Sequence, residues 1–110
     1  MKKFKKQIYE EFFVHGSILN VQNDDETIVE GTSDIVAVDN VGTSATADVL
    51  DVAGTKTVGD DPNGSYTNNV LSVRVKAGTE ALSPYKITFK IVTSAGNKYE
   101  IDMQMTIKEI

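Results

Sequence analysis

Tyr85-Lys86-Ile87-Thr88-Phe89-Lys90-Ile91-Val92, then Thr93-Ser94-Ala95-Gly96-Asn97-Lys98, then Tyr99-Glu100-Ile101-Asp102-Met103-Gln104-Met105-Thr106-Ile107 is the stretch that decides the fold. Apolar side chains occupy every second position of both outer segments, with Lys, Thr, Glu, Asp and Gln between them. Successive side chains of a strand point to opposite faces, so this alternation predicts an antiparallel hairpin with one face on a core and one in water. The middle segment, rich in small and turn-forming residues, predicts the turn that joins the two strands.

Working outward, Asn69 to Lys76 alternates in the same way, with Leu71, Val73 and Val75 inward and Ser72, Arg74 and Lys76 outward. Gly78 to Pro84 connects it to the hairpin. Gly59-Asp60-Asp61-Pro62-Asn63-Gly64-Ser65 is the densest loop signal in the chain. Before it, Thr55 to Val58 and Ala45 to Val52 read as strands, and Asp39 to Gly42 as a turn. Thr27 to Glu30 and Ile35 to Val38 read as two strands, or as one bent at Gly31, and Asn20 to Glu26 is a polar turn. The aromatic and β-branched cluster near Phe12-Phe13-Val14 predicts a strand at about 9–15. The tally is seven or eight short strands with frequent turn signals and no helix of length. That pattern predicts an all-β, immunoglobulin-like antiparallel β-sandwich.

Composition bounds the chemistry. A chain of 110 residues with 40% hydrophobic and 25% charged residues suits one domain with one core. It contains no cysteine, which removes disulfides, thiolate metal sites and cysteine nucleophiles together. Four of its eleven basic residues are Lys2, Lys3, Lys5 and Lys6; the remainder carries seven basic against sixteen acidic groups, a body at −9. An acidic body repels phosphate, so nucleic acid is not an expected partner. Residues 1–8 read as a basic, solubilising tail ahead of a single domain at 9–110, with an arm docking on an acidic neighbour as the alternative. Gln7 to Glu11 interrupts any signal-peptide core, and no run is long enough to span a membrane. No export signal and no membrane partner are expected.

Residues with chemical potential have plainer readings. His15 is the only histidine, so any Ser-His-Asp arrangement would have to pass through it, and no nucleophile motif surrounds it. Asn23-Asp24-Asp25-Glu26 and Gly59-Asp60-Asp61-Pro62-Asn63 are oxygen-rich and could in principle hold calcium, but the second lacks the spacing of a calcium loop, and Asp and Asn are common in turns because they bond their own backbone. Asp34, Asp39, Asp48, Asp51, Glu100 and Asp102 scatter over polar faces, without the opposed pair a glycosidase requires. Tyr9, Tyr66, Tyr85 and Tyr99 with Arg74 suggest a sugar-binding face, although Tyr85 and Tyr99 fall in register with inward positions. No catalytic, cofactor-binding or metal-binding residue, and no cofactor, is expected.

Residues 69–96, from Asn69-Val70-Leu71-Ser72-Val73-Arg74-Val75-Lys76-Ala77-Gly78-Thr79 through Tyr85-Lys86-Ile87-Thr88 to Thr93-Ser94-Ala95-Gly96, resemble a family of small tailed-phage proteins described as fiber-tail adaptor or phage-related immunoglobulin-like proteins. The shared features are a valine-rich strand, a Gly-Thr turn, Tyr-x-Ile-Thr and Thr-Ser-Ala-Gly before a last strand. The likeness covers about residues 69–110; Ser83-Pro84 stands where the family commonly carries Gly before the Tyr. The resemblance implies a non-enzymatic phage or prophage virion structural protein. It would be made in the host cytoplasm, then carried in the virion, with tail, fiber or connector proteins as partners and homo-oligomers in the particle. A bacterial surface adhesin or carbohydrate-binding immunoglobulin-like module is the alternative.

Overall fold

The computed structural model describes residues 1–19, 21, 26–62 and 67–109. Among these residues seven strands form two sheets: β1 (Lys2–Lys6), β7 (Lys98–Ile107), β6 (Tyr85–Val92) and β3 (Asp34–Val38) in that order, and β2 (Phe12–Ser17), β5 (Val70–Val75) and β4 (Thr57–Gly59). The protein is an all-β, immunoglobulin-like sandwich. The hairpin that led the reading is present, with Tyr85 opposite Met105 and Val92 opposite Lys98. Its inward row Tyr85, Ile87, Phe89 and Ile91 is buried, as are Met103, Met105 and Ile107, while Tyr99 and Ile101 are half-buried. Leu71, Val73 and Val75 from β5 close the core from the other sheet.

Tyr85 locks one corner of the sandwich. It stands at the start of β6, almost fully buried, and its hydroxyl accepts a hydrogen bond from the Thr79 backbone N–H at 3.1 Å. This is the tyrosine corner of immunoglobulin-like folds, which ties the strand start to the chain just upstream. Gly16 in β2 makes a second close fit. A Cβ there would lie 2.8 Å from Phe89 Cγ, so the missing side chain is what lets the two sheets approach.

Several expectations are corrected. The segment read as a basic tail contains β1, which runs parallel to β7 with Phe4 beside Met105 and Lys6 beside Ile107. The lysines hid it, because only Phe4 marks an inward position. The strand expected at 9–15 spans Phe12–Ser17 instead. Of the strand expected at 27–30 only an isolated bridge between Ile28 and Thr93 exists, followed by a 3-10 turn at Glu30–Thr32. The strand expected at 45–52 is replaced by two helical turns, α1 (Thr46–Val49) and α2 (Val52–Thr55). Ala45 and Val49 are buried and Ala47 is exposed, which is helical rather than alternate spacing; alanine also favours helix over strand. The Asp51 side chain accepts from Gly54 N–H and caps α2. The strand expected at 55–58 begins only at Thr57, since Thr55 still belongs to α2. Ser72 and Thr88, assigned to outer faces, lie there but are buried by their neighbours. Most of the Asn20 to Glu26 turn, part of the loop after Gly59 and Tyr66 fall outside the described residues.

Candidate interaction surface

Two of the sandwich's four strand edges are closed by the chain itself. On β3, Ala37 N–H donates to Thr46 Oγ1 and Ala37 C=O accepts from Ala45 N–H, so α1 covers that edge. β4 is only three residues long, and the α1–α2 segment extends its cover of β5: Asp51 N–H donates to Arg74 C=O, and Lys76 N–H to Val49 C=O. Short and covered edges are how sheet proteins avoid unwanted pairing.

The other two edges, β1 and β2, lie together along the opposite side. A five-residue connection joins them, and Phe4 meets Phe12 edge to face with ring centroids 5.8 Å apart. In the constant-type immunoglobulin arrangement the first strand pairs with the second. Here the first strand pairs with the last, and among the described residues no strand pairs with the outer edge of β2. Backbone parity fixes which groups face out. Lys108 N–H donates to Lys6 C=O, so Lys2, Phe4 and Lys6 address β7 and the amides of Lys3 and Lys5 point away. Arg74 addresses Thr55 and Asp51, so Val73 and Val75 pair with Val14 and Phe12. The amides of Phe13, His15 and Ser17 therefore point to the open edge.

The side chains along this side are sharply graded in charge. β1 presents Lys2, Lys3 and Lys5 to solvent. The connection carries exposed Ile8, Tyr9, Glu10 and Glu11, with Tyr9 96% exposed. Lys6 is buried beneath it, donating from Nζ to the carbonyls of Gln7 and Ile8. Burial lowers its pKa below the usual lysine value, against the opposing pull of Glu10, Glu11 and Glu109. On the outer face of β2, the Arg74 guanidinium lies 5.1 Å from the centroid of the Phe13 ring. At the far end Ser17 Oγ donates to Asp61 Oδ2 at 2.8 Å. Acidic pairs thus flank β2: Glu10 and Glu11 before it, Asp60 and Asp61 beside its end.

Several of the residues weighed for chemistry make local contacts. His15 lies on the outer face with Nδ1 2.6 Å from Ser72 Oγ, and Asp61 accepts from Ser17 Oγ. Asp34 accepts from Ile35 N–H, Asp39 from Val41 and Thr43 N–H, and Asp102 from Thr88 Oγ1 while lying 3.7 Å from Lys86 Nζ. Among the described residues no group of three or more His, Cys, Asp or Glu is arranged to hold a metal. No helix among them is long and apolar enough to cross a membrane.

One polar cluster escaped the sequence reading. Glu26 is 3% exposed; its carboxylate accepts from Thr93 Oγ1 and from Asn97 Nδ2, and Tyr99 OH lies 3.4 Å away. It clips the chain before β3 to the turn between β6 and β7. Burial and the Glu26 charge raise the Tyr99 pKa. Its signal was Thr93, a polar residue at the end of an alternating strand, but the partner lies 67 positions away. Compared with models of known protein families and with curated proteins, the chain matches none.

Proposed function

We propose that the protein is a non-enzymatic structural component of a phage or prophage virion, joining tail, fiber or connector proteins through its strand edges. The observation that carries this reading is the uneven treatment of those edges. The β3 and β4 edges are covered or cut short, while β1 and β2 stand open side by side along one flank. An open edge supplies a row of donors and acceptors that a partner strand completes. The resemblance of residues 69–110 to tailed-phage immunoglobulin-like proteins names the kind of assembly. The adhesin alternative gains nothing from the groove lined by His15, Ser17, Asp60, Asp61, Val70 and Ser72, which presents no Phe, Tyr or Trp ring for a sugar to stack on among the described residues.

The test is to induce the strain that carries the gene, band its particles on a density gradient and probe the fractions with an antibody to this chain. Co-migration with tail-bearing particles is expected. Its absence from every particle fraction while the protein is expressed would overturn the reading.

A further inference from the structure

We infer that the open flank is a self-association surface, on which β1 of one copy pairs antiparallel with β2 of a second copy and β2 with β1, around a two-fold axis running along the strands. This rests on the reading of that flank as a contact surface and names its occupant. The two open edges belong to different sheets but to the same side of the sandwich, as the Phe4–Phe12 contact shows. Rotation about an axis parallel to the strands exchanges the layers. It therefore brings the β1 edge of each copy to the β2 edge of the other. Since β1 and β2 run in opposite directions, the new pairs are antiparallel.

Parity fits. Lys3 and Lys5 turn their amides outward, and their registers with Gln104 and Thr106 place their side chains on the outer face. Phe13 and His15 also turn their amides outward and their side chains to the outer face, in register with Arg74 and Ser72. Setting Lys5 opposite Phe13 and Lys3 opposite His15 gives hydrogen-bonded pairs in which both side chains share one face.

Charge selects the partner and the symmetry. In that register Lys5 reaches Glu11 diagonally, and Lys3 reaches Ser17 and the Asp61 carboxylate bonded to it. The other two-fold arrangement, with the axis perpendicular to the sheets, sets β1 against β1 and so places Lys2, Lys3 and Lys5 against their own copies. A basic strand with a central Phe therefore finds its complement in the acid-flanked, aromatic edge of the same chain.

The test is the mass of the purified chain by light scattering, across concentration and salt. The expected result is a dimer of about twice the 12.0 kDa chain mass that loosens as salt screens the lysine–carboxylate pairs. Reversing the basic edge (Lys3→Glu with Lys5→Glu) should raise the dissociation constant about a hundredfold, because like charges then face each other in both contacts. The chain carrying Glu11→Lys with Ser17→Lys should dissociate likewise, and mixing the two variants should restore a dimer. A wild-type chain that stays monomeric, a charge reversal that leaves or tightens the dimer, or no recovery on mixing would each overturn the inference. A monomer found in phage particles would sink the dimer alone. A dimer absent from particles would leave the pairing intact and remove the virion role.

Discussion

Tyr85 and Gly16 show how single side chains position the two sheets. The Tyr85 hydroxyl satisfies the Thr79 N–H at the corner before β6. Tyr85→Phe keeps the buried ring and removes only that acceptor, so a loss of about 1 kcal/mol is expected from urea unfolding, with no change in the slope. Gly16→Ala acts oppositely, by adding atoms. Its Cβ would press on Phe89, whose ring is fully buried and has nowhere to go. Overpacking of this kind costs about 1–3 kcal/mol, more than the roughly 0.4–1 kcal/mol that replacing glycine returns through the unfolded chain. A Gly16→Ala protein at least as stable as the parent would refute the close-approach reading. Lys6 provides a pH signature. Its pKa is lowered in the fold, so between that value and the unfolded 10.5 the unfolded chain holds more protons. Stability contributed at this site accordingly rises with pH through that window. Wild type should gain on Lys6→Met when urea midpoints are compared at about pH 7.5 and about pH 10.5.

At the scale of elements, the segments legible in the sequence are those whose two faces differ. β6 and β7 alternate for eight and ten residues, and burial follows the alternation almost position by position. β1 was illegible for the reverse reason: in Lys2-Lys3-Phe4-Lys5-Lys6 one aromatic is too little to define a face. Its pairing is supplied by β7, 101 positions away in register, and local pattern holds no trace of a partner so distant. Residues 45–52 misled because small side chains alternate without a face, whereas the buried set Ala45, Val49 and Leu50 is chosen by the gap between the sheets. The open flank was half visible. The lysine cluster and the possibility of a docking arm were in the sequence; that they form the open edge beside β2 was not. Removing residues 1–6 strips Phe4 from Phe12 and bares the β7 edge, so it should destabilise the domain, whereas removal of a frayed tail would leave the urea midpoint unchanged.

Across the whole molecule, the sandwich has a finished flank and an unfinished one, and the distinction makes a prediction separate from mass. On the finished flank the outward amide of Ala37 already donates to Thr46 Oγ1. On the unfinished flank the amides of Lys3, Lys5, Phe13 and His15 face outward from edge strands. Hydrogen exchange at low concentration should therefore find these four fast, while Val73 and Phe89, central in their sheets, exchange slowest. Raising the concentration should protect all four together, because one two-fold contact pairs β1 and β2 in the same event. Ala37 should not respond. A heterologous contact also uses both edges, but it leaves one of each exposed at the ends of every short oligomer and continues to grow. Protection that reaches both edges with the same midpoint, and a mass that stops at two copies, belong to the closed arrangement; protection of one edge alone would refute it. The opposite charges of β1 and the acid-flanked β2 are the reason closure is favoured. Each edge repels its own kind, and each copy carries one of both.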